Sequence, residues 1–119
     1  MWISPRASKE MKNFSFKKEN PKGQLLKKLE RYSKNGFAGY TGSNKPVRPE
    51  IGYDGVFRIG HRDSLFRLAG FFEGNGHDHF LIMDAYMKSG QSLSASERAR
   101  LSRIAETRAK GCWIKKGAA

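Results

Sequence analysis

The sequence predicts an α+β domain: a small antiparallel sheet with a mixed edge and helices packed on one of its faces. Three observations predict it. Three apolar-rich runs, Tyr53–Gly60, Ser64–Phe72 and His79–Lys88, are joined by the turn-like stretches "GHRD" and "EGNGHD", the pattern of an antiparallel meander. Segments with helical apolar spacing flank these runs, one before and one after. At 119 residues the chain suits one domain with a core of modest size.

Taken in order, "MKNFSF" (Met11–Phe16) alternates and reads as a first edge strand. Asn20 is a helix N-cap candidate and Pro21 fits the first helical position. Leu25, Leu26, Leu29 and Tyr32 then share one stripe, and Asn35-Gly36 closes the helix. Phe37–Gly52, "FAGYTGSNKPVRPEIG", reads as a long loop carrying Lys45 and Arg48. After the three strands, Ser94 and Glu97 match the S-x-x-E capping box. Leu101, Ile104 and Ala105 give that helix a narrow apolar stripe, and Gly111 ends it. The expected order is β-α-loop-β-β-β-α. Residues 1–10 are expected to be a disordered extension, 11–111 the domain, and 112–119 a tail.

Lysines and arginines number 23 against 11 acids, a net charge of +12, and such a field draws in polyanions. The single cysteine, Cys112, forms no disulfide within the chain, so a reducing, cytoplasmic setting is expected. No apolar run reaches the roughly 18 residues of a membrane helix, and no secretory leader is expected. "GHDHF" places His77 and His79 close together, without a third and fourth ligand at suitable spacing, so no metal is expected. "GQSLSAS" lacks the phosphate-loop lysine, which argues against nucleoside triphosphates. No cofactor is expected.

Arg58 and Arg67 each interrupt an apolar run, and a guanidinium is costly to bury. Alternation along strands accounts for them. Pairing Ile59 with Ser64 and Phe72 with His79 puts Phe57, Ile59, Phe66, Leu68, Gly70, Phe72, Leu81, Met83, Ala85 and Met87 on one apolar face. The second face then holds Val56, Arg58, Leu65, Arg67, Ala69, Phe71, Phe80, Ile82, Asp84, Tyr86 and Lys88, with Arg67 opposite Asp84. A half-apolar surface studded with cations suits an RNA strand, with phosphates on the arginines and bases on the rings.

The stretch from Phe57 to Glu106 resembles the RelE/ParE toxin superfamily, and within it the HigB-like, phage-derived branch. The residues that carry the resemblance are "FRI", "LFRLAGFF" and "HFLIMDAYMKSG" followed by "SLSASERA". The resemblance implies a RelE-like fold and the toxin of a type II toxin–antitoxin pair. RelE- and HigB-like members cleave mRNA on the ribosome, whereas ParE-like members poison DNA gyrase. It also implies an acidic antitoxin as partner, the ribosome with its mRNA as target, and a monomeric free toxin. Arg67 corresponds to the family's central strand arginine, Arg58 to the arginine of the preceding strand, and Lys88 to the lysine after the last strand. Ser89 departs from the pattern where a second lysine is common, and Tyr86 stands where a phenylalanine is usual. An inactive remnant that only binds is the third alternative.

RNA cleavage of this kind gathers charge on phosphoryl oxygens, which fixed cations stabilise. Arg67 and Arg58 suit that role because guanidinium is always charged and forks onto phosphate. Lys88 can bind phosphate. Tyr86, if nearby cations lower its pKa, and His61 on the first hairpin turn are the candidates for proton transfer. Lys45, Arg48, Arg62, Arg98, Arg100 and Arg103 are expected to contact RNA, and Asp84 to orient Arg67.

Overall fold

The computed structural model describes residues 1–14, 20–61, 64–73, 79–90 and 92–111. Its elements are β1 (Trp2–Ile3), α1 (Pro5–Lys12), α2 (Pro21–Asn35), a 3₁₀ turn (Phe37–Tyr40), β2 (Val47–Pro49), β3 (Phe57–Gly60), β4 (Phe66–Glu73), β5 (His79–Met87) and α3 (Ala95–Lys110). The five strands form one mixed sheet in the order β1-β5-β4-β3-β2. β2 to β5 run antiparallel, and β1 lies parallel to β5. The α+β class and the mixed edge therefore hold.

The helices begin and end where local chemistry directs. The Asn20 side chain accepts from Gly23 N–H at 3.1 Å, Pro21 opens α2, and Gly36 follows it at φ +92°. The Ser94 hydroxyl accepts from Glu97 N–H at 3.2 Å, and Gly111 closes α3 in the left-handed region. Leu25, Leu29 and Tyr32 of α2 and Leu101 and Ile104 of α3 are buried, as their spacing indicates.

Helices cover both faces of the sheet, which corrects the expectation of one. Ala7, Met11, Leu25 and Leu29 of α1 and α2 cluster with Ile59, Phe66, Leu68, Phe80 and Ile82. On the other side Leu101 and Ile104 of α3 cluster with Val56, Ala69, Phe71, Leu81 and Tyr86. The second face, half apolar by alternation, carries Val56, Ala69 and Phe71, which take α3 as their cover. A bulge in β5 also exchanges residues between the two faces. Ala69 pairs with Asp84, but Gly70 pairs with Ile82, so Met83 is an extra residue on β5. Upstream of Met83 the alternation reverses. Phe80 and Ile82 join the face of Phe66 and Leu68, and Leu81 turns to the face of Phe71. Gly70 permits this close approach, because a Cβ there would lie 1.8 Å from the Leu81 carbonyl oxygen. The β3–β4 hairpin pairs Ile59 with Leu68 rather than Ser64, a shift of even number that leaves its faces as expected.

The first ten residues are not a disordered extension. β1 and α1 occupy them, and Ala7 is fully buried. Ser4 joins this segment to the bulge. Its hydroxyl donates to the Met83 carbonyl at 3.1 Å and accepts from Ala7 N–H at 3.0 Å, which caps α1. "MKNFSF" is not a strand: Met11 and Lys12 end α1, and Ser15 and Phe16 lie outside the described residues. The expected loop at Phe37–Gly52 contains the 3₁₀ turn and β2. The proposed tail 112–119 lies outside the described residues.

Asp84, 1 % exposed, does not face Arg67, which pairs with Tyr86 instead. Arg100 Nη1 of α3 donates to both Asp84 oxygens, at 3.0 and 3.1 Å. Arg6 of α1 approaches Asp84 at 3.6 Å, and Arg100 also reaches Glu10 at 3.6 Å. A buried carboxylate thus ties α1, β5 and α3 together. Breaking such a pair leaves uncompensated charge. Asp84→Ala is expected to cost roughly 3 kcal/mol of stability, read as a lower urea midpoint with an unchanged slope.

Candidate nucleic-acid interface

β2 and β3 place Arg48 directly opposite Arg58, and β3 and β4 place Gly60 opposite Arg67. A cleft of about 510 Å³ opens at this end of the sheet, lined by Lys45, Arg48, Arg58, His61 and Arg67 with Asn44 and Gly60. Five residues singled out in the sequence thus share one wall, two of them from the segment expected to be a loop. Like charges facing each other across strands are destabilising. The opposing charge comes from Glu50, just after β2, whose buried carboxylate forms an ion pair with Arg58 Nε.

Arg67 lies folded back against the strand end. Its Nη1 donates to the carbonyls of Phe66 at 3.0 Å and Ser64 at 3.3 Å. Its head rests over Gly60, where a Cβ would come within 2.8 Å of Nε. That Nε is buried and makes no hydrogen bond among the described residues. Burial, and then the Arg58 charge, push the Arg67 pKa down from its ordinary value. An anion entering the cleft would relieve both effects.

Tyr86 is 3 % exposed, and its pKa is pushed up rather than down, which corrects the expectation of an activated phenol. Burial is the main cause, and the Glu50 and Glu97 carboxylates add to it against Arg58 and Arg67. His61 is 5 % exposed, so it is not a free turn residue. Its Nε2 is hydrogen-bonded to Gln24 Oε1 of α2, and its Nδ1 is shielded from solvent. Lys88 follows β5 on the side of Tyr86 by alternation, with its backbone N–H on the Leu65 carbonyl at 2.8 Å.

Ser89 has a structural task. Its N–H and its hydroxyl both donate to Glu97 Oε1 at 2.9 Å, and the Ser94 hydroxyl adds a third bond at 3.1 Å. Burial pushes the Glu97 carboxyl up, but these bonds outweigh it and hold the pKa below its ordinary value. Arg100 is committed to Asp84 and Glu10, so it is withdrawn from the set of RNA contacts. Arg98 and Arg103 are exposed on α3 and do not line the cleft; Arg98 Nη1 donates to the Leu93 carbonyl at 2.9 Å. Arg62 lies outside the described residues, as does His77 of the "GHDHF" stretch.

Two contributors were missed in the sequence. Glu50 is one of two acids between Lys45 and Arg58, with Asp54, and the sequence alone does not say which of them meets an arginine. Gly60 showed no signal, since its part depends on the pairing with Arg67. Among the described residues no helix is long and apolar enough to cross a membrane. No protein-family model, curated protein or solved structure matches the chain.

Because the Tyr86 pKa is raised in the fold, the folded state keeps this proton after the unfolded chain has released it. The associated stability is complete below the ordinary tyrosine value of about 10 and is lost as pH rises above it. The fall in urea midpoint above about pH 10 should be shallower in Tyr86→Phe. Gly60→Ala should push the Arg67 head aside. Sulfate or RNA binding is expected to weaken, while the melting temperature changes little, because only the end of a flexible side chain must move.

Proposed function

We propose that the chain is a toxin of the RelE/HigB kind: a ribosome-dependent endoribonuclease that cuts mRNA and stops translation. The observation that carries this reading is the juxtaposition of Arg48, Arg58 and Arg67 on adjacent strands at one cleft, with Lys45 beside them. A row of fixed cations around a groove is what a phosphodiester backbone requires. In-line attack of a 2′-OH on its neighbouring phosphorus builds charge on the phosphoryl oxygens. A guanidinium held in place stabilises that charge without reorganising. Arg67 fits this role best, since the Phe66 and Ser64 carbonyls fix its head in the cleft wall. Arg58 supports it, and Lys88, which does not line the cleft, would bind a flanking phosphate. Tyr86, with its pKa raised, stays neutral and serves as a packing residue or hydrogen-bond donor rather than a base. The net charge of +12 accords with an acidic antitoxin as the neutralising partner. The free toxin would be a cytoplasmic monomer on this reading.

Primer extension on a translated reporter mRNA after brief induction tests the proposal. In-frame cuts are expected with the parent, and Arg67→Ala should reduce them by about 10²-fold or more, the usual effect of removing one such donor. Intact mRNA in cells that filament and mount a DNA-damage response would assign the chain to gyrase inhibition instead. Intact mRNA in healthy cells would leave a binding remnant.

A further inference from the structure

Glu50 presents a paradox if the cleft binds RNA: a carboxylate inside a polyanion site should repel the ligand. Its placement resolves this. The Glu50 backbone N–H is tied to the Val56 carbonyl at 2.8 Å, so the turn after β2 holds the residue in place. Its side chain is 8 % exposed, against 28 % for Arg58. Arg58 lines the cationic cleft, whereas Glu50 lines a separate hollow with Tyr53, Gly55 and Val56. The carboxylate therefore meets Arg58 from behind, at Nε. A guanidinium offers five N–H donors in two forks. With one edge on Glu50, the outer Nη edge is left toward the cleft.

We infer that Glu50 is a positioning residue, which anchors Arg58 by its Nε so that the Nη edge meets an RNA phosphate. The inference rests on the proposed RNA function and deepens it. Without Glu50, Arg48 directly across the strand pair and Arg67 nearby would repel Arg58 out toward solvent. The acid thus favours anion binding, opposite in sign to its own charge. The other titratable groups near this pair are the Glu97 carboxylate and the neutral Tyr86 phenol.

Binding of a short single-stranded 2′-O-methyl RNA, which lacks the attacking hydroxyl, separates recognition from cleavage. Affinity is read by fluorescence anisotropy across a salt series for the parent, Glu50→Gln, Glu50→Ala and Arg58→Ala. Glu50→Gln keeps an acceptor for Nε and should keep the parent's salt slope. Glu50→Ala should bind more weakly and lose about 0.7 from the slope, the value for one phosphate contact on a single strand. Arg58→Ala should show the same loss. Tighter binding by both Glu50 variants, at the parent's slope, would show that Glu50 merely masks Arg58 and would overturn the inference. A measurement on the parent alone guards against a variant that does not fold. The Arg58 Nε–H NMR resonance should stay in place as RNA is added; a resonance that moves with RNA would mean that phosphate displaces Glu50, and the inference fails. A parent that binds no RNA at any salt removes the functional proposal and this inference together.

Discussion

An extra residue in a central strand changes what both faces of a sheet present. At Met83, opposite the Ala69–Gly70 step, β5 carries one residue more than β4, and the side-chain alternation reverses there. Upstream of it, Phe80 and Ile82 join Phe66 and Leu68 on one face and Leu81 joins Val56, Ala69 and Phe71 on the other; both faces are apolar, so each requires a cover. α1 and α2 cover one face and α3 the other. The bulge also frees the Met83 carbonyl, which Ser4 takes up, and so brings the N-terminal segment against β5. Asp84, the next residue, binds Arg100 and Arg6 and fastens α3 and α1 at the same edge. Burial of large apolar side chains, at roughly 1.5–3 kcal/mol each, provides the driving force. The bulge decides on which face Phe80, Leu81 and Ile82 are buried.

The opposite end of the sheet depends on charge being concentrated and then balanced. Arg48, Arg58 and Arg67 lie on neighbouring strands, an arrangement that costs stability by itself. Two buried carboxylates offset it from behind. Glu50 pairs with Arg58, and Glu97, held ionised by Ser89 and Ser94, lies close enough to raise the pKa of Arg67 slightly against the burial that lowers it. Neither carboxylate lines the cleft, so the wall that faces outward stays cationic. The counter-ions of the cluster are placed where they leave the cleft itself lined by cations.

The sequence disclosed the features that rest on local chemistry. Asn20, Pro21 and Gly36 mark α2, Ser94 and Gly111 mark α3, and the spacing of Arg58 and Arg67 places both on one face. It did not disclose the bulge, because "HFLIM" is apolar at either parity and a period of two cannot assign it to a face. The Arg67–Asp84 pair failed because Phe72 pairs with Phe80 rather than His79 and Met83 then adds one residue more, which puts Tyr86 opposite Arg67. The single helical layer failed because the second face, with Val56, Ala69 and Phe71, is apolar enough to need α3. β1 and β2 were missed because strands of two and three residues carry no period. Lys45 and Arg48 were singled out from the basic segment, but their convergence with Arg67 follows from β2 pairing with β3, which local sequence does not show.

The central claim is that the cleft between β2 and β4, rather than the basic surface as a whole, receives the RNA backbone. NMR titration of the parent with a single-stranded 2′-O-methyl RNA tests it most directly. Saturable shifts are expected at the backbone of Asn44, Arg48, Gly60 and Arg67 and at the Arg67 Nε–H. Arg98 and Arg103 on α3 should remain nearly unmoved. Shifts centred on α3 or spread evenly over the exposed lysines, with the cleft silent, would contradict the account.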